Sequence, residues 1–529
     1  MKTNHRQTAG AQQKSRFLRT SNISHSAVEQ FLSRRLDDWA WLKIWDRAAV
    51  RTVLAEKGVQ FHTEPRDSQA VGTLIGVEQP CFLFQYDVGL GKSKMILDIL
   101  NHRHRRDEIN KPVLILAPSA VNLESWEEQI REHAPNLMCV SLLGTRAERR
   151  ALLKVPVDIY LLNYAGLQVF MTQHDKDRKK MVPVKEDIEM FVSRFGAVVF
   201  DESHLIGNHK TLVYSLCRPI SRAVPFRYAL TATLFGRDPH MAWPQFDLVD
   251  HGETLGKTMG LFRAAFFSPQ QNYWSGGVEW KFQKRLKAKL AATLSHRSIR
   301  YTADECMDLP EIVRIVRKVR LPTSIEDYYD QVIGQLKAAK GNRQEIERSF
   351  LRMRQLTSGF LSIKEDDGRV EHEFDECPKL DSLIELLREI PEDEKIIVFH
   401  EFVHSGERIH KAMEELGIKH AQLNGATKDP ITELKKFTQT PSCRGLVANW
   451  RSAGTGLNLQ CAKYAVFFES PVGPIARTQT EGRMSGARQV HRSFIYDLVV
   501  ADSIDERILA YLKEGKDLME AVCSGGTSL

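Results

Sequence analysis

Short apolar runs of strand length alternate with stretches of helical period over most of this chain. From residue 81 onward the runs CFLFQY, VLILAP, DIYLLN, AVVFDE and RYALTAT recur, each succeeded by small, polar or charged residues. Helical patterns separate them, as at 93–104 and 124–133. Unbroken apolar runs suit strands covered on both faces, and their alternation with helices predicts a parallel sheet clad by helices on either side. A second series of the same kind comes later: KIIVFHEF, HAQLNG, RGLVAN, YAVFFES and SFIYDLVV. The expected fold class is therefore α/β, with two doubly wound parallel-sheet lobes. In such sheets ligands bind at the carboxyl ends of the strands.

The flanking pattern differs. Residues 1–20 are polar and basic, as in a tail, whereas 24–57 carry Val28, Phe31, Leu32, Leu36, Trp39, Leu42, Ile44 and Trp45 at helical spacing. The interval 235–368 reads as largely helical and basic, with Lys281, Lys284, Arg285, Lys287 and Lys289, and the run RIVRKVR at 314–320. The expected organisation is a tail and helical piece over 1–58, a first lobe over 59–245, a helical insertion and linker over 246–375, and a second lobe over 376–529.

Composition narrows the class without deciding it. Of 529 residues, 42% are hydrophobic and 27% charged, which is ordinary for a globular protein, and the net charge of +7 suits a polyanionic partner. The eight cysteines form no C-x-x-C pair, so reduced thiols are expected rather than a metal centre. No apolar run reaches the ~18–20 residues of a membrane span, and the N-terminus lacks a signal-type apolar region. The expectation is a cytoplasmic protein, nucleoid-associated or in a host cell's cytoplasm, without a membrane partner.

Two segments carry chemistry. Tyr86 to Ser93, YDVGLGKS, comes after a strand and opens a helix. A loop of this kind turns backbone N–H groups toward a phosphate at a helix N-terminus, where the dipole favours negative charge. Gly89 and Gly91 permit close approach, Lys92 would neutralise β/γ-phosphates, and Ser93 would hold Mg²⁺ through its hydroxyl. Tyr86 stands where the pattern G-x-x-x-x-G-K-S/T has glycine, and a glycine-containing strand–helix turn is the plain alternative. The second segment is DESH, 201–204, after the apolar strand AVVF. There Asp201 can reach Mg²⁺ through water, and Glu202 is the natural base for an attacking water.

With these residues in view, the order of segments over roughly 60–510 resembles helicase superfamily two, and within it the SWI/SNF-like double-stranded-DNA translocases. PRDSQ, ending at Gln69, is similar to an adenine-reading glutamine motif. YDVGLGKS resembles D-E-x-G-L-G-K-T, and DESHLIGN resembles D-E-x-H-x-I-K-N. LAPSAVNLESWEEQ, LLNYAGL and LTATLFGRD fall where the family has its next motifs. WPQFDLVDHGETLG and RSIRYTADECMDLPE resemble the family's inter-lobe insertion, and RMRQLTSGFL and PKLDSLIELL continue the match toward the second lobe. KIIVFHEF, SAGTGLNLQ and QTEGRMSGARQ resemble motifs IV, V and VI.

The resemblance implies two RecA-like lobes, ATP and Mg²⁺ as ligands, and duplex DNA as track rather than single strands. It assigns nucleotide binding to Gln69, Tyr86, Asp87, Val88, Gly89, Leu90, Gly91, Lys92, Ser93 and Lys94, with Gly454 and Gly456 in motif V. Asp201 and Ser93 would hold the metal, Glu202 would activate water, and Lys92, Gln479, Arg483 and Arg488 would complete the catalytic set. His204, Thr231 and Thr233 would couple hydrolysis to lobe movement, and Arg483 would reach the γ-phosphate from the opposite lobe. Motif VI has Gly486 where the family has a second arginine, the next being Arg488; motif III has Ala232 and Leu234 in place of Gly and Pro. Neither change removes a metal or base residue, so an active ATPase that displaces DNA-bound protein is expected. The alternatives are a helicase that separates or anneals strands, and a nucleic-acid-binding scaffold with a vestigial ATPase.

Overall fold

The structure, a computed structural model, describes residues 23–175, 180–235, 238–271, 278–306, 312–339, 342–365, 368–453, 457–484 and 491–515. The described chain divides into two compact units between Thr302 and Ala303, the short run 88–90 excepted.

The first unit holds, in chain order, β1 (Cys81–Tyr86), β2 (Val113–Ala117), β3 (Cys139–Ser141) and β4 (Ile159–Asn163). A hairpin, β5 (Thr172–Asp175) with β6 (Lys180–Pro183), precedes β7 (Ala197–Phe200) and β8 (Phe226–Thr231). A second hairpin, β9 (Phe267–Gln271) with β10 (Val278–Phe282), precedes β11 (Ser298–Tyr301). Seven of these strands form one sheet in the order β11-β1-β8-β7-β2-β4-β3, with every pair parallel. Parallel pairing needs a crossover between strands, and the helices that supply it bury both sheet faces. This is why β2 and β7 are buried at every position.

The N-terminal piece packs on this unit. Helix His25–Leu32 is capped by Ser24, whose hydroxyl accepts from the Ala27 N–H, and helix Arg47–Glu56 is capped in the same way by Asp46. Between them lies a 3₁₀ turn, Ala40–Ile44. Phe31 meets Phe266 edge-on at 6.4 Å, Trp39 meets Phe82 at 6.3 Å, and Arg34 donates to the Thr254 carbonyl at 2.9 Å.

The second unit holds β12 (Ile312–Val319), a hairpin of β13 (Phe360–Glu365) with β14 (Gly368–Glu373), β15 (Ile396–His400), β16 (His420–Leu423), β17 (Gly445–Asn449), β18 (Tyr464–Phe467) and β19 (Ser493–Val500). Six of them form a parallel sheet in the order β12-β19-β18-β15-β17-β16. Helices Thr323–Ala338 and Arg343–Thr357 pack through Tyr329, Val332, Phe350 and Met353 onto Ile504 and Ile508 of the C-terminal helix Ile504–Lys513.

The two parallel, helix-clad sheets bear out the expected fold class. The interval 246–375 is organised differently from the helical insertion read in the sequence. Its residues 298–301 complete the first sheet, and 312–319 form the edge of the second, paired with β19 over eight positions. From Val313 to Val319 the side chains of IVRIVRKV alternate between half-buried and exposed, as in an edge strand with one wetter face, although Ile312, Ile315, Val316 and Val319 fall at the spacing of a helix face. Among the described residues no helix is long and apolar enough to cross a membrane.

Candidate functional site

The loop 86–93 leaves the carboxyl end of β1 and enters helix Lys92–Arg105. Tyr86 is fully buried, its hydroxyl donating to the Ser68 carbonyl at 2.7 Å and its ring 5.1 Å from that of Tyr301. The tyrosine is thus a strut between β1 and the helix Asp67–Glu78. That helix approaches so closely that a Cβ at Gly72 would lie 2.6 Å from the Tyr86 hydroxyl. Gly89 and Gly91 both take positive φ, 83° and 73°, where a side chain is strained.

Gln69 closes one side of the loop. Its Nε2 donates to the Gly91 carbonyl at 3.2 Å, and its Oε1 accepts from the Arg66 N–H at 2.8 Å. Lys92 folds back, donating to the carbonyls of Tyr86 at 2.8 Å and Asp87 at 3.3 Å. Such contacts hold an ammonium group over the concave face of its own loop. Ser93 is partly exposed at the helix start. Lys94, by contrast, pairs in the interior with Asp98 at 2.6 Å, and burial pushes that carboxyl up to about 6 despite the lysine.

The acidic pair sits at the end of β7. Asp201 is fixed from three sides: Trp126 Nε1 donates to its Oδ2 at 2.9 Å, the Tyr164 hydroxyl donates to its carbonyl at 2.7 Å, and the Glu202 N–H donates to its Oδ1 at 3.0 Å. Burial of the carboxyl and the neighbouring Glu202 push Asp201 up to about 6, with Trp126 and Lys92 acting against them. Glu202 is 5% exposed and takes φ 47°, ψ 51°. A non-glycine residue there carries strain of about 1–3 kcal/mol, which persists only where surrounding contacts hold it.

From Glu202 a line of contacts runs to the end of β8. Its Oε2 lies 3.3 Å from His204 Nδ1, which is itself 3.3 Å from the Thr231 hydroxyl. That hydroxyl accepts from the Thr233 N–H at 3.1 Å and donates to the Thr233 carbonyl at 3.0 Å. Ser203 donates to Gln245 Oε1 at 2.7 Å, and Gln245 Nε2 donates to the carbonyls of Leu234 and Met241 at 2.7 and 2.9 Å. The first unit therefore brings Lys92, Asp201, Glu202, His204, Thr231 and Thr233 to the carboxyl ends of the neighbouring strands β1, β8 and β7.

Two carboxylates drawn out of water beside a single lysine leave that end of the sheet short of positive charge, as the raised Asp201 pKa records. The residues therefore fit a divalent cation, with Asp201 and the Ser93 hydroxyl as its candidate holders.

In the second unit Gln479 lies on helix Pro474–Glu481, and Arg483, 8% exposed, stands two residues beyond its end. The Arg483 carbonyl accepts from the Leu459 N–H at 3.0 Å. Arg477 serves the core, bridging Glu481 at 2.6 Å and Asp497 at 2.5 Å beneath the Phe467 ring. Gly454, Gly456, Gly486 and Arg488 lie outside the described residues. Trp126, Tyr164 and Gln245 had been given no role from the sequence. All three stand in segments already quoted: a buried indole N–H and phenol O–H each demand an acceptor, whereas the amide of Gln245, in WPQFDLVDHGETLG, gives no sign of its partner.

Comparison with known proteins gives this site a family. A model of the SNF2-related domain matches residues 55–366, and one of the helicase conserved C-terminal domain matches 378–486. The chain belongs to the SNF2-related family. It is 22% identical over 451 residues to the putative ATP-dependent helicase/translocase YwqA of Bacillus subtilis, covering 82% of this chain and 46% of that protein. It is 20% identical to the transcription regulatory protein SNF2 of Saccharomyces cerevisiae, over 83% of this chain and 26% of that one. The putative protein p41 of Acyrthosiphon pisum secondary endosymbiont phage 1 is 24% identical, with 80% and 90% covered. This SNF2-related chain thus spans less than half the length of the first two relatives. Among solved structures, the Sulfolobus solfataricus SWI2/SNF2 ATPase core in complex with dsDNA is 21% identical, covers 88% of this chain and 94% of that chain, and has a TM-score of 0.39.

Proposed function

We propose that this SNF2-related protein is an Mg²⁺/ATP-dependent motor that moves on double-stranded DNA and displaces or remodels protein bound to it. The observation that carries the reading is the fixed Asp201–Glu202 pair, aligned by Trp126 and Tyr164 at the sheet end that also bears Lys92.

In this reading the loop Asp87–Ser93 cradles the ATP phosphates with backbone N–H groups, Lys92 neutralises their charge, and Gln69 braces the loop from the base side. Asp201 and Ser93 would hold Mg²⁺, which when bound would supply positive charge to the phosphates. Glu202, held in a strained backbone conformation, orients and polarises the attacking water. The contacts from Glu202 through His204 to Thr231 and Thr233 supply a route from the phosphate to the β8 loop, and so from hydrolysis to movement. The motif order shared with duplex-DNA translocases and the net charge of +7 support duplex DNA as the track.

Steady-state ATP hydrolysis measured without nucleic acid and with duplex DNA, single-stranded DNA or RNA tests this. Stimulation by duplex DNA is expected, with Glu202→Gln reducing turnover by about 10²–10⁴-fold and Lys92→Ala abolishing it. Stimulation chiefly by single strands or RNA would replace the reading with a strand-separating helicase. Duplex binding without hydrolysis would replace it with a scaffold.

A further inference from the structure

Two histidines of the second unit meet at the outer edge of its sheet. His410 lies on the helix Val403–Glu415, and His420 opens β16, the last strand in the sheet order. Gly445 of β17 stands opposite His420, so close that a Cβ there would lie 2.8 Å from the His420 Cβ. The chain that carries the His420 ring is therefore closely confined. Both histidines line a polar cavity of about 950 Å³, which gives small solutes access to them.

Each ring has one nitrogen directed at an oxygen. His420 Nδ1 lies 2.8 Å from the Ile418 carbonyl, and His410 Nε2 lies 3.5 Å from Glu414 Oε1. A carbonyl and a carboxylate accept hydrogen bonds and do not donate them, which assigns the ring protons to these two nitrogens. The nitrogens left over, His410 Nδ1 and His420 Nε2, face one another at 2.5 Å. The rings are not stacked, their planes meeting at 70°. In neutral rings of these tautomers both facing nitrogens present lone pairs, which repel unless a cation comes between them.

A proton serves that purpose, and so does a metal ion. Metal-bound imidazoles hand their other N–H to a carbonyl or carboxylate, which fixes the tautomer and aims the lone pair. That is the arrangement behind both rings here. Imidazole nitrogen suits zinc, nickel and copper, whereas Mg²⁺ takes oxygen ligands. Zinc–nitrogen bonds of about 2.0–2.1 Å in tetrahedral geometry set two ligand nitrogens roughly 3.3 Å apart. The pair must therefore widen, and His410, with 38% of its side chain exposed, has the freedom to do so.

We propose that His410 and His420 bind a divalent transition-metal ion of the zinc, nickel and copper group, clipping the helix Val403–Glu415 to β16. Glu414 is the positioning residue for His410, as the Ile418 carbonyl is for His420. Among the described residues no group of three His, Cys, Asp or Glu side chains converges to hold a metal, so water completes the coordination and the ion is exchangeable. The site differs in its ligands from the one that takes Mg²⁺ and nucleotide, and it does not depend on the motor reading.

The test is calorimetric titration of the untagged, full-length protein with Zn²⁺ in excess Mg²⁺, with circular dichroism as a check on folding. His410→Gln and His420→Gln are each expected to take up one equivalent of Zn²⁺ fewer than the wild type. Glu414→Gln keeps the equivalent but binds it about tenfold more weakly. In thermal melting, Zn²⁺ is expected to raise the wild-type Tm by a few degrees and to leave His410→Gln unmoved. Because His410 is half-exposed, its variant keeps the fold and decides the matter whatever the folding of His420→Gln. Equal Zn²⁺ stoichiometry and affinity in wild type and His410→Gln would overturn the proposal. So would a wild-type protein that binds no Zn²⁺, leaving the two rings to share a proton.

Discussion

Around the acidic pair, individual side chains set the chemistry by their hydrogen bonds. Trp126 gives Asp201 a hydrogen bond of a kind worth about 1.5–3 kcal/mol when the acceptor is charged. Trp126→Phe is expected to lower ATP turnover about ten- to a hundredfold with little change in the KM for ATP, a split readable by steady-state kinetics. The acidic pair also predicts a pH effect on stability. Asp201 has its pKa raised from 3.8 to about 6 in the folded protein. A raised carboxyl adds stability below its unfolded value and loses it as pH rises through the folded value. Asp201→Asn removes that loss, so melting monitored from pH 4 to 8 is expected to give the variant a Tm advantage of a few degrees at pH 8 that vanishes near pH 4. The same variant should be inactive, stability and activity being opposed at such a site. Lys92, Asp201, Glu202 and His204 were legible in the sequence because phosphate and metal chemistry demands those residue types beside a strand end. Trp126, Tyr164 and Gln245 were not assigned roles, because what each does depends on partners 75, 37 and 42 residues away.

Elements, rather than motifs, decide where the second unit begins. The sequence placed the second lobe at 376, since its continuous apolar strands start soon afterwards. The structure starts that unit at Ala303, with β12 covering the edge of β19 and helices Thr323–Ala338 and Arg343–Thr357 packed on the C-terminal helix. A fragment of residues 376–529 would bare the β19 edge and the apolar faces of Ile504 and Ile508, an invitation to aggregation. Residues 303–529 expressed alone are expected to be soluble and to melt cooperatively by circular dichroism, whereas 376–529 are expected to aggregate or remain unfolded. The strands of both sheets were readable because burial on both faces leaves unbroken apolar runs. β12 is not legible as a strand because its apolar Ile312, Ile315, Val316 and Val319 fall at helical spacing among basic residues, and only its pairing with β19 makes it a strand.

For the molecule as a whole, the two units have separate hydrophobic cores, one spanning Phe31 to Leu294 and another built on Leu383, Val398, Val466 and Leu498. Separate cores unfold separately when little else couples them. Scanning calorimetry is therefore expected to resolve more than one transition. Mg²⁺-nucleotide should raise the transition of the unit that carries Lys92 and Asp201, since ligand binding stabilises the state that binds it. A single transition indifferent to nucleotide would contradict this.

The tyrosine strut beneath the phosphate loop has a consequence for how this chain can change. Tyr86 fills the space over Gly72 and holds the Ser68 carbonyl, while Gly72 has no room for a side chain because Tyr86 and Met95 are there. Restoring glycine at 86, toward the commoner phosphate-loop pattern, would empty a buried ring's volume at a cost of about 3–5 kcal/mol. Enlarging residue 72 first would collide with the Tyr86 hydroxyl and with the Met95 sulfur. Each single step is uphill, and even the paired exchange requires Met95 to move, so positions 72, 86 and 95 are tied together as one packing unit.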